Sequence, residues 1–440
     1  MNRVPRSFSL FLIIWAGQLL SRIGSGIGAF TLGIYLFQQT GSTSTYSFLL
    51  LCAFLPSVLL APIGGVIADR KDRKLMMVVG DLGSSSGILF IIIMFLLYPD
   101  KHWPIYFGIA VSSMFIAVHS PAFKASVSDI VEEKAYSRAS GLIQLAEASR
   151  YVVSPVIAGF LRTRFSLPLV LVLDLATFLI GAMTVILIKN VTIQHCQKGE
   201  NESFWADFID AFRYIVRNRI LFHLLYLTTI VTFITGILQV LFVPLVLSLT
   251  DAATLGTIQS ISASGMLIGS IFIGMMSRSD SQGKVLPLSL GVAGLFFILI
   301  GTGTNHFLFA MAAFCFFLTL PFVNTSLEVL FRRNIVNKMQ GRIWSLISLI
   351  SQIGMLLALS ITGLLADQLF NPLLTDDGLL AETVGSIIGT GVARGSGLMV
   401  ILSGFFLVLC SFFIAKRGEY MNFKTDLPSI TPNGRQLKSI

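Results

Sequence analysis

Gly65-Val66-Ile67-Ala68-Asp69-Arg70-Lys71-Asp72-Arg73-Lys74 separates two long apolar runs, Tyr46–Ala68 and Leu75–Tyr98. Hydrocarbon cannot hold Arg70, Lys71, Arg73 and Lys74 together, so this charged knot must lie in water at a membrane face. Its shortness makes the flanking helices antiparallel neighbours joined by a tight turn. Gly65 stands four residues before Asp69, on the same helical face, and lets another helix come close. The Asp69 carboxylate is then placed to accept hydrogen bonds from another helix's N-terminus, where free N–H groups and the macrodipole favour an anion. Such a bond latches one arrangement of helices and breaks in another. The plainer reading of the same residues is a solvated basic loop that only sets topology.

Composition points the same way. Of 440 residues, 54% are hydrophobic and 12% are charged, against about 25% charged in a soluble domain. The chain is a polytopic membrane protein. Its net charge of +9 is spread among short loops, so it marks no nucleic-acid partner. Cys52, Cys196, Cys315 and Cys410 have neither metal-ligand nor framework spacing and read as unpaired core residues. The run from Phe8 to Phe37 is too long for a signal sequence and reads as a retained first membrane helix.

A spanning helix needs about 20 mostly apolar residues. Twelve stretches qualify: Phe8–Phe37, Tyr46–Ala68, Leu75–Tyr98, Ile105–Phe123, Gly141–Leu161, Leu167–Ile188, Ile220–Leu249, Leu255–Met276, Val285–Thr302, Phe307–Leu330, Ile343–Ala366 and Ser396–Ala415. The expected fold is therefore all-α: a six-helix bundle over 1–188, a linker over 189–219, a second six-helix bundle over 220–415 and a polar tail over 416–440. In the linker, Phe204, Phe208, Phe212 and Ile215 recur at helical spacing among charges, as in an amphipathic interfacial helix. With the N-terminus inside, the outer face receives only Lys101, Arg162, Arg164 and Arg394, so both termini are expected in the cytoplasm. The halves also echo each other weakly. Gly274-Met275-Met276-Ser277-Arg278 follows span eight as the knot follows span two, as in parallel six-helix repeats.

Twelve spans, the six-plus-six split and the knot together resemble the major facilitator superfamily. Its loop signature is Gly-x-x-x-Asp-Arg-x-Gly-Arg-Lys, matched here by Gly65, Asp69, Arg70, Arg73 and Lys74, with Asp72 in place of the second glycine. That replacement recurs in the macrolide-efflux type of drug exporter. Similar to the same branch are Trp15-Ala16-Gly17-Gln18-Leu19-Leu20-Ser21, Gln39-Thr40-Gly41-Ser42, Leu255-Gly256-Thr257-Ile258-Gln259-Ser260, Met339-Gln340-Gly341-Arg342 and Gly389-Thr390-Gly391-Val392-Ala393-Arg394-Gly395. Two departures stand out. Span four lacks the arginine of many proton antiporters, leaving His119 and Lys124 nearby. Their Gly-Pro-x-x-Gly-Gly pattern survives only as Ser154-Pro155-Val156-Ile157-Ala158-Gly159, where Pro155 should still kink span five.

The resemblance implies a secondary transporter of the bacterial inner membrane, exporting a drug-like or natural-product small molecule by alternating access, with protons as coupling ion. It implies a monomer in the lipid bilayer with no cofactor and no catalytic chemistry. No Gly-x-x-x-x-Gly-Lys-[Ser/Thr] occurs, so ATP-driven transport by this chain is not expected. A siderophore or lysophospholipid transporter of the same superfamily remains an alternative, as does a membrane ligand sensor without net transport. Ionisable residues inside spans are the functional candidates. Arg22, Glu147, Arg150 and Asp174 are expected on the substrate or proton pathway; Asp81 joins Gly65, Asp69, Arg70, Arg73 and Lys74 in a gating network. Against this stand structural roles: a local Glu147–Arg150 pair, or a buried Arg22 paired with Glu147 or Asp174. Glu328 and Arg332 are spaced for a structural i,i+4 pair, and His119 for an ordinary core residue.

Overall fold

The computed structural model describes residues 8–187, 212–275, 282–303, 305–335, 340–375, 377–391 and 393–417. The first half comprises α1 (Phe8–Thr40), α2 (Thr43–Arg70), α3 (Arg73–Leu97), α4 (Trp103–Ile130), α5 (Tyr136–Val152), α6 (Ser154–Arg164) and α7 (Leu167–Leu187). The second half comprises α8 (Arg219–Leu247), α9 (Ala252–Met275), α10 (Gln282–Thr302), α11 (His306–Asn334), α12 (Gln340–Leu365) and α13 (Arg394–Arg417). Among the described residues, 11 helices are long and apolar enough to cross a membrane. The expected fifth span is the exception, because it is broken into α5 and α6, of 17 and 11 residues. Pro155 has no N–H to give the carbonyl one turn back, so the helical ladder loses a bond there while Val153 keeps helical φ and ψ and bonds Ser149 O, which is the disturbance expected of Pro155. Of the proposed linker helix, 204–211 lie outside the described residues; Ile215 is fully buried in the second half's core.

Caps carry α2 and α3 further toward each other than hydropathy alone suggests. The Lys71 N–H donates to Ile67 O at 2.9 Å to end α2, and Asp72 caps α3, accepting from Lys74 N at 2.8 Å; Ser42 caps the other end of α2 and accepts from Thr45 N. The knot shrinks to Lys71 and Asp72 as a two-residue link between helices. One expectation is corrected here. α2 and α3 barely touch, and α4 packs heavily on both. Small residues permit this, since Gly64 lies against the Ala117 carbonyl of α4, and Gly87 of α3 lies against Gly108 O of α4.

α1 and α7 form a seam of small residues. Gly17, Ser21, Gly24 and Gly28 recur every three or four residues on α1, opposite Thr184, Gly181, Thr177 and Asp174 on α7. A methyl group on Gly24 would overlap Thr177 Oγ1, so the helices touch almost backbone to side chain.

Burial in the first half is layered. At the knot end, Phe11, Ile14, Met76, Met77, Phe123 and Val127 make one apolar cluster. At the far end, Leu32, Leu36, Ile88, Ile91, Ile105 and Leu171 make another. Between them α1, α3, α4 and α7 bury Gln18, Ser21, Asp81, Ser84, His119 and Asp174. Among the described residues, the second half buries hydroxyls such as Ser262, Thr319 and Thr362 but no acidic or basic side chain. One large apolar cluster fills most of it and takes in Ile34 and Tyr46 of the first half, and a smaller one lies at Leu374, Ile388 and Ile401.

The halves are joined at the far end by two seams. In one, Gly363 of α12 lies beside Ser44 Cα and Thr43 O of α2, and Ser47 Oγ donates to Leu359 O. In the other, Gly159 of α6 lies beside Ala252 O, and Gly256 of α9 lies beside Pro155 O.

Candidate functional site

The buried polar layer brings the intramembrane candidates together along one side of α1. Arg22 Nη1 pairs with Glu147 Oε2 of α5 at 2.8 Å, with the two side chains 16% and 34% exposed. Of the structural alternatives, the structure shows Arg22 with Glu147, a contact between helices, and not the local Glu147–Arg150 pair. Residues 147 and 150 are neighbours on α5, yet Glu147 turns to α1, which packs directly on α5. Arg150 lays its Cγ beside Gly26 of α1 and makes no ion pair or hydrogen bond among the described residues. It lies within electrostatic reach of both Arg22 and Asp174. Asp174 is 1% exposed, backs onto Gly28 in the α1–α7 seam, and among the described residues has no hydrogen-bond partner for Oδ1. A buried carboxyl oxygen without a partner is costly and is the kind of group a proton satisfies.

Asp81 occupies the same layer, nearer the knot. Its Oδ2 accepts from Gln18 Nε2 at 2.9 Å, and its Oδ1 lies 3.4 Å from His119 Nε2. Gly80 makes room for the ring, since a side chain there would strike His119 Cβ. His119, expected as an ordinary core residue, is therefore the partner of a buried carboxylate, in the span that lacks the antiporter arginine. Gln18 has no forewarning role in the sequence beyond being an amide inside an apolar run.

The knot itself is pinned by its second half. Arg73 Nη1 donates to Ala125 O and to Asp129 Oδ2, both at 2.8 Å, at the end of α4. Lys74 Nζ donates to Ile186 O at the end of α7, at 3.2 Å. Both cations sit at helix C-termini, where carbonyls are unpaired and the dipole is negative. Asp72, the departure from the signature, is the cap of α3. The side chains of Gly65, Asp69 and Arg70 lie outside the described residues, and so does the latch expected of Asp69. Glu328 and Arg332 form their i,i+4 pair at 2.7 Å on an exposed face of α11. Cys52, Cys315 and Cys410 are free thiols.

This arrangement offers five ionisable side chains (Arg22, Asp81, Glu147, Arg150 and Asp174), the His119 imidazole and the buried Gln18 amide, in a half-molecule that packs against its neighbour at one end. Residues 14–359 match the model of the Major Facilitator Superfamily. Macrolide efflux protein A of Streptococcus pyogenes is 27% identical over 373 residues, covering 82% of this chain and 90% of that protein. The protein of the same name from Enterococcus faecalis is 26% identical over 329 residues, covering 72% and 98%. Among solved structures, the nucleoside transporter NupG superposes with a TM-score of 0.73 at 14% identity, covering 93% of this chain and 100% of that one. The fold, its membrane helices and the match over most of its length make this chain a multi-pass membrane transporter that belongs to the Major Facilitator Superfamily.

Proposed function

We propose that the protein is a proton-coupled exporter of a drug-like or natural-product small molecule, working by alternating access with both termini in the cytoplasm of a bacterial cell. The observation that carries this reading is the Arg22–Glu147 pair, an ion pair between two spans in the polar layer of the first half. Charges at this depth are costly and are kept where they bind or move something. Two carboxylates with basic neighbours, Glu147 2.8 Å from Arg22 and Asp81 3.4 Å from the His119 ring, are the candidate proton sites. The relatives named for macrolide efflux, matched along nearly their whole length, favour a bulky lipophilic substrate moving outward. The expected function divides as follows: Arg22, Glu147, Arg150 and Asp174 handle protons or substrate, and Asp81 with the knot couples that to the movement of the halves.

The test uses inside-out vesicles containing the full-length protein. On imposing an inward-acid gradient they should accumulate a lipophilic macrolide, and a protonophore should abolish the accumulation. Accumulation that needs ATP and persists with the gradient collapsed would refute the proposal.

A further inference from the structure

Asp367 of the second half reaches across to the start of α2 in the first. Its carboxylate accepts from Ser42 Oγ at 2.8 Å, from Thr43 N at 3.1 Å and from Ser44 N at 2.8 Å. Ser42 Oγ serves twice, because it also accepts from Thr45 N at 3.2 Å as the cap of α2. The first N–H groups of a helix have no partner within it, and the macrodipole makes that end positive. A carboxylate is the group that end favours, and here it comes from the opposite half of the molecule. Asp367 belongs to a π-turn, Ala366–Phe370, that ends α12. Gly363, one turn earlier, lets the backbones approach closely enough for the contact.

The second far-end seam is built differently. Asp251 precedes α9 and caps its own helix, with Oδ1 accepting from Thr254 N at 3.0 Å. Hydrogen bonds from Thr254 hold the Asp251 carboxyl below its ordinary value. The α6–α9 seam then closes by backbone packing at Gly159 and Gly256. One seam carries a charged bond between halves and the other carries shape.

We infer that Asp367 is the latch that holds the far end shut and thereby sets how often the transporter passes to the state in which that end opens. Opening must exchange three charge-assisted hydrogen bonds for water, and such bonds are the stronger ones in proteins. Asp367 touches neither substrate nor proton pathway in this role; it is a positioning residue acting through the two halves. The inference holds whatever the substrate and whatever the coupling ion.

The experiment uses full-length protein in lipid nanodiscs, with its four native cysteines replaced by serine. Spin labels go on Gln39→Cys and Thr375→Cys, exposed positions at the far end on opposite halves. Pulsed electron paramagnetic resonance then reads the distance between them. The parent protein should show one short distance. Asp367→Asn, equal in size but uncharged, should add a longer one, with the open-to-closed ratio rising about tenfold or more. Asp367→Glu should keep the short distance. An unchanged distribution in Asp367→Asn overturns the latch, as does an equal shift in Asp367→Asn and Asp367→Glu. If Asp367→Asn fails to fold, Ser42→Ala decides. It removes one of the three bonds and should raise the open fraction by a smaller factor; no rise overturns the latch.

Discussion

Glu147 can carry a proton or merely neutralise Arg22, and the two roles part when its charge is removed. Glu147→Gln leaves Arg22, 16% exposed, without its anion. That should cost about 2 kcal/mol, between the limits for exposed and fully buried pairs. The double change Arg22→Gln with Glu147→Gln should recover the lost melting temperature, since no lone charge remains. For a proton carrier, proton-driven transport should stay at least about tenfold down in both variants, while gradient-independent substrate exchange survives in the single one. Recovery of proton-driven transport together with stability in the double variant would reduce the pair to scaffolding. Depth along a span was readable for Arg22, because helix rise fixes it. Its partner was not, because the two options, Glu147 and Asp174, lie on different helices, and only the rotation of α5 and α7 about α1 chooses between them. His119 is the same kind of case: its neighbour Asp81 is on another helix and no pattern within α4 points to it.

At the level of elements, the α1–α7 seam shows how small residues place charged ones. Gly24 and Gly28 allow α7 to lie close, and Asp174 is carried into the interior by that approach. Gly24→Val should drive α1 off Thr177 and destabilise the protein by about 1–3 kcal/mol, the usual cost of overpacking. Thr177→Ala added to it should return part of the loss, because the overlapping atom Oγ1 is gone. Thermal unfolding of the purified variants checks both, and a Gly24→Val protein as stable as the parent would mean the seam is looser than this. The periodic glycines were present in the apolar run from Phe8 to Phe37, but small residues on a membrane helix announce a close neighbour without saying which helix it is. The broken fifth span was visible in the sequence: Pro155 predicts a disturbance, and its missing N–H sets where the ladder loses a bond.

The whole molecule is asymmetric. Its described buried charges are concentrated in the first half, and the core of the second is dominated by one large apolar cluster. Orientation belongs to this scale too. If the knot end is cytoplasmic, Thr375→Cys should react with a membrane-impermeant maleimide in intact cells, and Lys71→Cys only after the cells are opened. The opposite pattern of labelling would invert the protein in the membrane and with it the direction of export.

The sequence by itself determined that this chain is a membrane protein of long apolar helices interrupted by a basic knot, and the knot with its flanking stretches was enough to resemble its superfamily. Those features are local: span length is set by bilayer thickness, and a cluster of cations cannot enter hydrocarbon, whatever surrounds it. The tertiary structure alone decided the pairings. It gave Glu147 to Arg22 instead of Arg150, set His119 against Asp81, inserted α4 between α2 and α3, and brought Asp367 to Ser42, Thr43 and Ser44. Each is a contact between segments far apart in the chain. Such contacts follow from which helices are neighbours and how each is turned about its axis, and a membrane, apolar on every side, leaves little periodicity in the sequence to record either.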